Sequence, residues 1–355
     1  MRRLFEQKYI YGIYVNMKSY TVKEEIRTLD TRLNHFLSNG LKTTIYSAVD
    51  EKGYALYESK TREMNRSIYN FLGKSPLKHA VKHAHVLGLN SWVQVNPFKV
   101  SKRDVEAYTK YLIRDKDNNA LIEGAGEQIN YFLSTAYEEV SEIAFKTLSE
   151  ILEDCEADGI ILEESLVYPK ISPYDFSEGA YRNFARFLRE KYNVSFFLWP
   201  NDVLEGKKYH THYLEWKNIM IRETMEYLRN GVRERFGNLP IAVLAQRDKE
   251  DYRRIEARLK DMTRRRLFDY LLTDFVNEYN LKEISSTLRK IFNMLRETSI
   301  LIVSIIGYSV RNLDKEYIWD EALKEALIGG SNGIILFDDE NVYRDNAWEK
   351  IRILL

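Results

Sequence analysis

The chain has 355 residues with 53 acidic and 53 basic side chains, a formal net charge of zero, so no global field recruits nucleic acid or an anionic membrane and binding must come from a local site. Its only cysteine, Cys155, excludes an intrachain disulfide, a cysteine-rich zinc centre and a cysteine-held iron–sulfur cluster. No apolar run reaches membrane-spanning length, and the start MRRLFEQKYIYG lacks the apolar core and cleavage site of a signal peptide, so the expected location is the cytoplasm.

Taken in chain order, β-rich apolar runs alternate with amphipathic helical stretches. YIYGIYVN (9–16) reads as a strand, followed by helical VKEEIRTLDTRLNHFLSNG, where Gly40 suits a C-terminal cap. KTTIYSAVD (42–50) is the second strand. In SPLKHAVKHAHVLG, Ser75 before Pro76 marks a helix start, and SWVQVNP (91–97) is the third strand. A polar excursion precedes the long helix of STAYEEVSEIAFKTLSEILEDC, which delivers the fourth strand, DGIILEE. A second excursion holds SEGAYRNFARFLREKYN, FFLWPNDVLEG and HYLEWKNIMIRETMEYLRNGVRERFG. Strands five to eight are LPIAVLAQ (239–246), FDYLLTDF (268–275), SILIVSIIGYS (299–309) and NGIILFDDE (332–340), with helical LKEISSTLRKIFNMLRE and KEYIWDEALKEALIGG among them.

Eight strands, most continuously apolar and most followed by a helix, predict a closed parallel sheet buried on both faces. The expected fold is therefore an α/β protein of the (β/α)8 TIM barrel type, one domain over 1–355 with excursions at about 98–130 and 164–212. No Gly-x-Gly-x-x-Gly or phosphate-loop pattern follows the first strand, which argues against an open doubly wound sheet.

In such barrels the side chains just past the carboxyl ends of the strands line the active site. Here that rule collects Asn16, Asp50, Gln94, Asn96, Glu163, Glu164, Gln246, Asp274, Asp338 and Asp339. Alternation along GIILEE places Glu163 with Ile161 on the inner side, while Glu164 begins the loop. A carboxyl on the inner rim suits proton transfer or nucleophilic attack at a sugar acetal when a second carboxyl lies about 5–9 Å away. Asp274, grouped with Leu272, and Asp338, grouped with Leu336 and Ile334, are the expected partners, Asp274 the more direct. Asp339 beside Asp338 is expected to raise one of the two pKa values and favour a proton donor there. The competing role for Glu163 is an ion pair with Arg247. Trp92, Tyr168, Trp199, Tyr213 and Tyr308 are the aromatic side chains expected near the mouth, where flat apolar rings with a polar edge suit stacking on sugars.

Several stretches resemble the hypothetical glycosyl-hydrolase-like barrel families of bacteria and archaea: VDEKGYALYES at the second strand, HAHVLGLNSWVQVNPF at the third, DGIILEESLVYP at the fourth, DFSEGAYRNFARFLREKYNV with WPND after it, and NGIILFDDE at the last. The resemblance spans most of the chain and implies a barrel acting on carbohydrate. It puts Glu163 where those families usually carry Asp. A chitinase-type D-x-D-x-E series is excluded, because Ile161 and Ser165 stand at its first and last acidic positions.

His79, His83 and His85 lie before the third strand, at the end away from the expected site, and read as surface or packing residues; no metal and no cofactor is expected. The basic runs TRRRLF and YRRIEARLK are mixed with acids and read as solvated helix faces, so nucleic acid and membrane are not expected partners. A charged content of 30% with few glutamines and six prolines points to a heat-adapted source. The function expected is glycoside hydrolysis by carboxylate acid/base catalysis, with Glu163, Asp274 and Asp338 catalytic and Glu164, Asp50, Gln94, Asn96, Trp92, Tyr168, Trp199, Gln246 and Tyr308 binding substrate. The alternative is a barrel that binds carbohydrate, or serves as a scaffold, without catalysis.

Overall fold

Runs such as GIIL and LIVSIIG are apolar at nearly every position, and a strand of that kind is stable only where both of its faces are covered. In a computed structural model, which describes residues 10–17, 23–64, 66, 69, 72–163, 174–245, 259–307, 319–337 and 339–346, closure of the sheet covers the inner face and the helices cover the outer one. Strands β1 (Tyr11–Tyr14), β2 (Thr43–Ser47), β3 (Asn90–Val95), β7 (Gly159–Glu163), β8 (Ile241–Ala245), β9 (Tyr270–Val276), β10 (Leu301–Gly307) and β11 (Gly333–Phe337) close a barrel in that order, each parallel to its neighbours, with β11 returning to β1. The expected (β/α)8 barrel is thus the observed fold.

The helices α1 (Lys23–Ser38), α2 (Pro76–Val86), α3 (Glu138–Cys155), α4 (Glu178–Tyr192), α5 (His210–Phe236), α6 (Leu281–Leu295), α7 (Trp319–Ile328) and α8 (Asp339–Arg344) lie between or after the strands. Ser75 caps α2 by accepting from the N–H of Lys78 at 3.1 Å, with Pro76 opening the helix. Gly40 takes a left-handed φ of 93° just past α1, the conformation that releases the chain toward β2. No helix among the described residues is long and apolar enough to cross a membrane.

Alternation along the strands sorts their side chains into two clusters. Ile45, Trp92, Ile161, Leu244, Leu272, Ile305 and Ile335 meet inside the barrel, whereas Ile13, Val93, Ile160, Leu162, Val243, Leu271, Ile306, Ile334 and Leu336 pack outward with the helices. The interior is filled, not hollow. Trp92 supplies much of the filling and can do so because Gly159 on the next strand has no side chain: a Cβ there would come within 2.6 Å of the indole. Gly159→Ala is therefore expected to destabilise the fold by about 1–3 kcal/mol, the usual cost of overpacking a close-packed core, read as a lower urea midpoint. An unchanged midpoint would show that the indole can move aside.

At the amino-terminal end of the barrel, polar side chains just before three strands accept from the backbone of the strand before. Asp158 Oδ2 takes the N–H of Ser91 (2.7 Å) together with His85 Nε2 (2.8 Å). Asp269 takes the N–H of Ile241 (2.9 Å) while holding Arg229 at 2.9 and 3.0 Å, and Asn332 Oδ1 takes the N–H of Ile302 (3.0 Å).

The excursion after β3 forms a small antiparallel sheet, ordered β4 (Lys99–Ser101), β6 (Asn130–Phe132), β5 (Ile122–Glu123). The described part of the excursion after β7 builds its own apolar cluster from Phe184, Leu188, Val203, Tyr213 and Trp216. Asp175 fastens the two excursions together. Its carboxylate accepts from the Ser134 hydroxyl and the Ser177 N–H (2.9 Å), and the next residue, Phe176, donates its N–H to the carbonyl of Arg114 at 2.8 Å. Burial raises the Asp175 carboxyl above its usual range despite these donors.

Candidate active site

At the carboxyl end, the same alternation carries four polar or aromatic side chains inward, one step above the apolar filling. Tyr14 follows Gly12 on β1, Gln94 follows Trp92 on β3, Glu163 follows Ile161 on β7, and Asp274 follows Leu272 on β9. All four keep partial contact with solvent. The Tyr14 hydroxyl donates to Gln94 Oε1, and Gln94 Nε2 donates to Glu163 Oε1 at 3.1 Å. Asp274 Oδ1 accepts from the N–H of Val276 at 2.8 Å, which fixes one carboxyl oxygen against its own strand. The Tyr14 ring meets Phe337 of β11 with centroids 5.7 Å apart, an apolar wall beside the polar group.

Electrostatics tie the set together. The Tyr14 phenol is pushed well above its ordinary range, first by burial and then by the negative charges of Asp274 and Glu163. It therefore stays protonated at neutral pH and remains a hydrogen-bond donor. Two carboxylates on strands separated only by β8 thus act on one phenol, an arrangement able to give and take protons at a polar substrate.

Four of the expected binding residues, and Tyr213 among the aromatics expected at the mouth, are not brought to this group. Trp92 lies below the rim, 5% exposed and edge-on to Tyr270 at 5.3 Å, because the interior needs a large apolar filler opposite Gly159. Asp50 closes a turn after β2, its Oδ1 accepting from the N–H groups of Lys52 (2.8 Å) and Tyr54 (2.9 Å). Asn96 is buried and holds its own turn, Oδ1 accepting from Phe98 N–H at 3.0 Å. Trp199 packs into the aromatic cluster of the second excursion, against Phe176, Phe184 and Tyr213. Tyr213 is fully buried there, hydrogen-bonded to the backbone of Asp175.

Asp339 is also corrected. It does not stand on the rim beside Asp338 as a like charge; its carboxylate is fully buried, paired with Arg32 and bonded to the N–H of Asn16. Ile334 and Leu336, with which alternation groups Asp338, face the helices. Asp338 itself, with Glu164, Tyr168, Gln246, Arg247 and Tyr308, lies outside the described residues.

No protein-family model matches the sequence, and no curated protein matches it. Solved structures do match the fold. The catalytic domain of a β-amylase from Paenibacillus polymyxa superposes with a TM-score of 0.61 at 10% identity, over 98% of this chain and 97% of that one. A β-galactosidase from the psychrophilic Marinomonas ef1 gives 0.66 at 11% identity, over 93% of this chain and 54% of that one. A second β-galactosidase, from G. stearothermophilus, gives 0.65 at 11%, over 98% and 56%. These structural neighbours are glycosidases. The chain thus spans the whole of the β-amylase domain and about half the length of the β-galactosidases, and at these identities the likeness carries the fold alone.

The residue that sequence reading missed is Tyr14. Its signal was present, since alternation from Ile10 through Gly12 puts it on the inner face, but one tyrosine among 25 does not stand out. Burial, with the Asp154 charge second, pushes the lone thiol, Cys155, up to about 12, so it is held as the protonated thiol at neutral pH. His83 pairs with Asp30 at 3.0 Å and His85 with Asp158, and among the described residues no three His, Cys, Asp or Glu side chains gather into a metal site.

Proposed function

We propose that the protein is a glycoside hydrolase acting on an oligo- or polysaccharide, with Glu163 as acid/base or nucleophile and Asp274 as its direct partner. The observation that carries this reading is the pair itself: two carboxylates, one from β7 and one from β9, both on the inner face at the carboxyl end and both acting on Tyr14. Hydrolysis of a sugar acetal needs two such groups flanking the scissile bond, one to protonate the leaving oxygen and one to attack the anomeric carbon or to activate water against it. The glycosidase fold of the structural neighbours supports the same substrate class. Asp338 is proposed as a further carboxyl from its place just past β11 in the sequence, not from alternation with Ile334 and Leu336, which face the helices. Glu164, Tyr168, Gln246 and Tyr308, which the sequence sets just beyond β7, β8 and β10, are proposed as substrate contacts.

The test is a panel of nitrophenyl glycosides and oligosaccharides, followed by product assay and in parallel by calorimetry. Turnover by the wild-type chain that falls about 100-fold or more in Asp274→Asn supports the pair, since that is the usual contribution of a positioned acid or base. Binding without turnover would favour the non-catalytic barrel, and full activity in Asp274→Asn would remove that residue from the chemistry.

A further inference from the structure

Three strands contribute one link each to a directional chain: the phenol of Tyr14 on β1, the amide of Gln94 on β3 and the carboxylate of Glu163 on β7. A primary amide has one acceptor end and one donor end, so its orientation follows from what its neighbours offer. Glu163 can use either end only if its own protonation changes to match. Tyr14 opposes the flipped orientation, in which its oxygen could only accept from the NH2 and its own O–H would need another acceptor. Its single O–H is given to Gln94 Oε1, and this turns the NH2 toward Glu163 Oε1. The flipped amide would set a carbonyl oxygen against the carboxylate, two acceptors with no proton between them.

We infer that Tyr14 is a positioning residue which, through Gln94, fixes the Glu163 carboxylate with Oε1 as a committed acceptor and Oε2 as the oxygen that reacts. The inference rests on the reading of Glu163 as a catalytic carboxylate and reassigns Gln94 from substrate contact to support. Among the described residues the groups facing Tyr14 are Gln94 from β3, Glu163 from β7, Asp274 from β9 and Phe337 from β11. Both charged members of that set are negative, so they oppose loss of the phenol proton and keep the chain running in one direction.

Tyr14→Phe deletes the hydroxyl and keeps the ring against Phe337, so the fold should be retained and is checked by thermal unfolding. Three outcomes are expected for the hydrolase. First, kcat falls roughly 10- to 100-fold, the scale of a hydrogen bond to a charged group, because releasing Gln94 in turn weakens its bond to the Glu163 carboxylate, while KM changes little. Second, the limb of the pH–rate profile set by the Glu163 carboxyl moves to higher pH, because the freed amide can now present its oxygen and favour a proton on Glu163. Third, Gln94→Met shows the same changes, and adding Tyr14→Phe to it has no further effect, as required when one residue acts through the other. Multiplying effects in the double variant, or a rise in KM with kcat kept, would overturn the inference by making Tyr14 a substrate contact.

A second readout does not depend on turnover. Carbon-13 NMR titration of the Glu163 carboxyl, assigned by its absence in Glu163→Gln, should show a higher midpoint in Tyr14→Phe than in the wild type. An unchanged midpoint would sink the positioning role even in an active enzyme. A wild-type chain with no turnover on any glycoside, but with the midpoint shifted in the variant, would instead remove the hydrolase reading and leave the hydrogen-bond chain standing.

Discussion

Glu163→Gln is expected to lower kcat/KM by about 10²- to 10⁴-fold, the range attributed to a positioned general acid or base, with no loss of thermal stability. The two halves of this result have separate causes. Glutamine has nearly the volume of glutamate, and its side-chain oxygen can still accept from Gln94 Nε2, so the contact recorded at 3.1 Å survives. What disappears is the ability to carry or accept a proton and to hold negative charge opposite a developing positive sugar. The corresponding limb of the pH–rate profile should vanish with it. Steady-state kinetics on the best glycoside, with melting curves beside them, measure both, and activity within a few-fold of wild type would take Glu163 out of the reaction.

The largest effect on stability is expected from Asp339→Ala, about 3–5 kcal/mol, the cost of breaking a buried ion pair from one side. Asp339 is fully buried, with Oδ2 bonded to Arg32 at 2.9 and 2.8 Å and Oδ1 to the N–H of Asn16 at 2.8 Å. Removing the carboxylate takes a counter-charge from a guanidinium that is itself mostly buried and breaks the tie to the segment that follows β1. Urea unfolding of the variant, compared with the double variant Arg32→Met with Asp339→Ala, separates the charge from the cavity. Recovery of much of the loss in the double variant is the expected signature of a stranded cation. A single variant as stable as wild type would mean that Arg32 reaches other partners without cost.

The barrel was legible because its code is long and redundant. Most strands are runs of apolar residues covered on both faces, and Ser75–Pro76 and Gly40 punctuate the helices in ways that local sequence alone dictates. The inward direction of Glu163 and Asp274 was legible for a related reason, since a strict period of two leaves only one face for each once Ile161 and Leu272 are interior. Height along the barrel axis was not. Trp92 and Gln94 share a face, yet one fills the core and the other reaches the rim, a distinction set by strand stagger and by Gly159 across the way. Asp50 and Asn96 show a different limit: a polar residue past a strand end serves the site or its own turn, and the choice depends on backbone N–H groups whose positions sequence does not display. Short pieces such as β5 and β6 leave too few residues for any period to register.

The polar side chains that precede β7, β9 and β11 give the barrel a set of fasteners at its floor, each joining two adjacent staves through a backbone N–H. Their acceptor groups are committed to the frame, while Glu163 and Asp274 stand at the opposite end. Wear and invention are thereby kept apart. Changes among the upper side chains leave every fastener in place, so this frame can be refitted for another substrate, or another reaction, by exchanging the fittings of its upper rim while the hoops at its base hold.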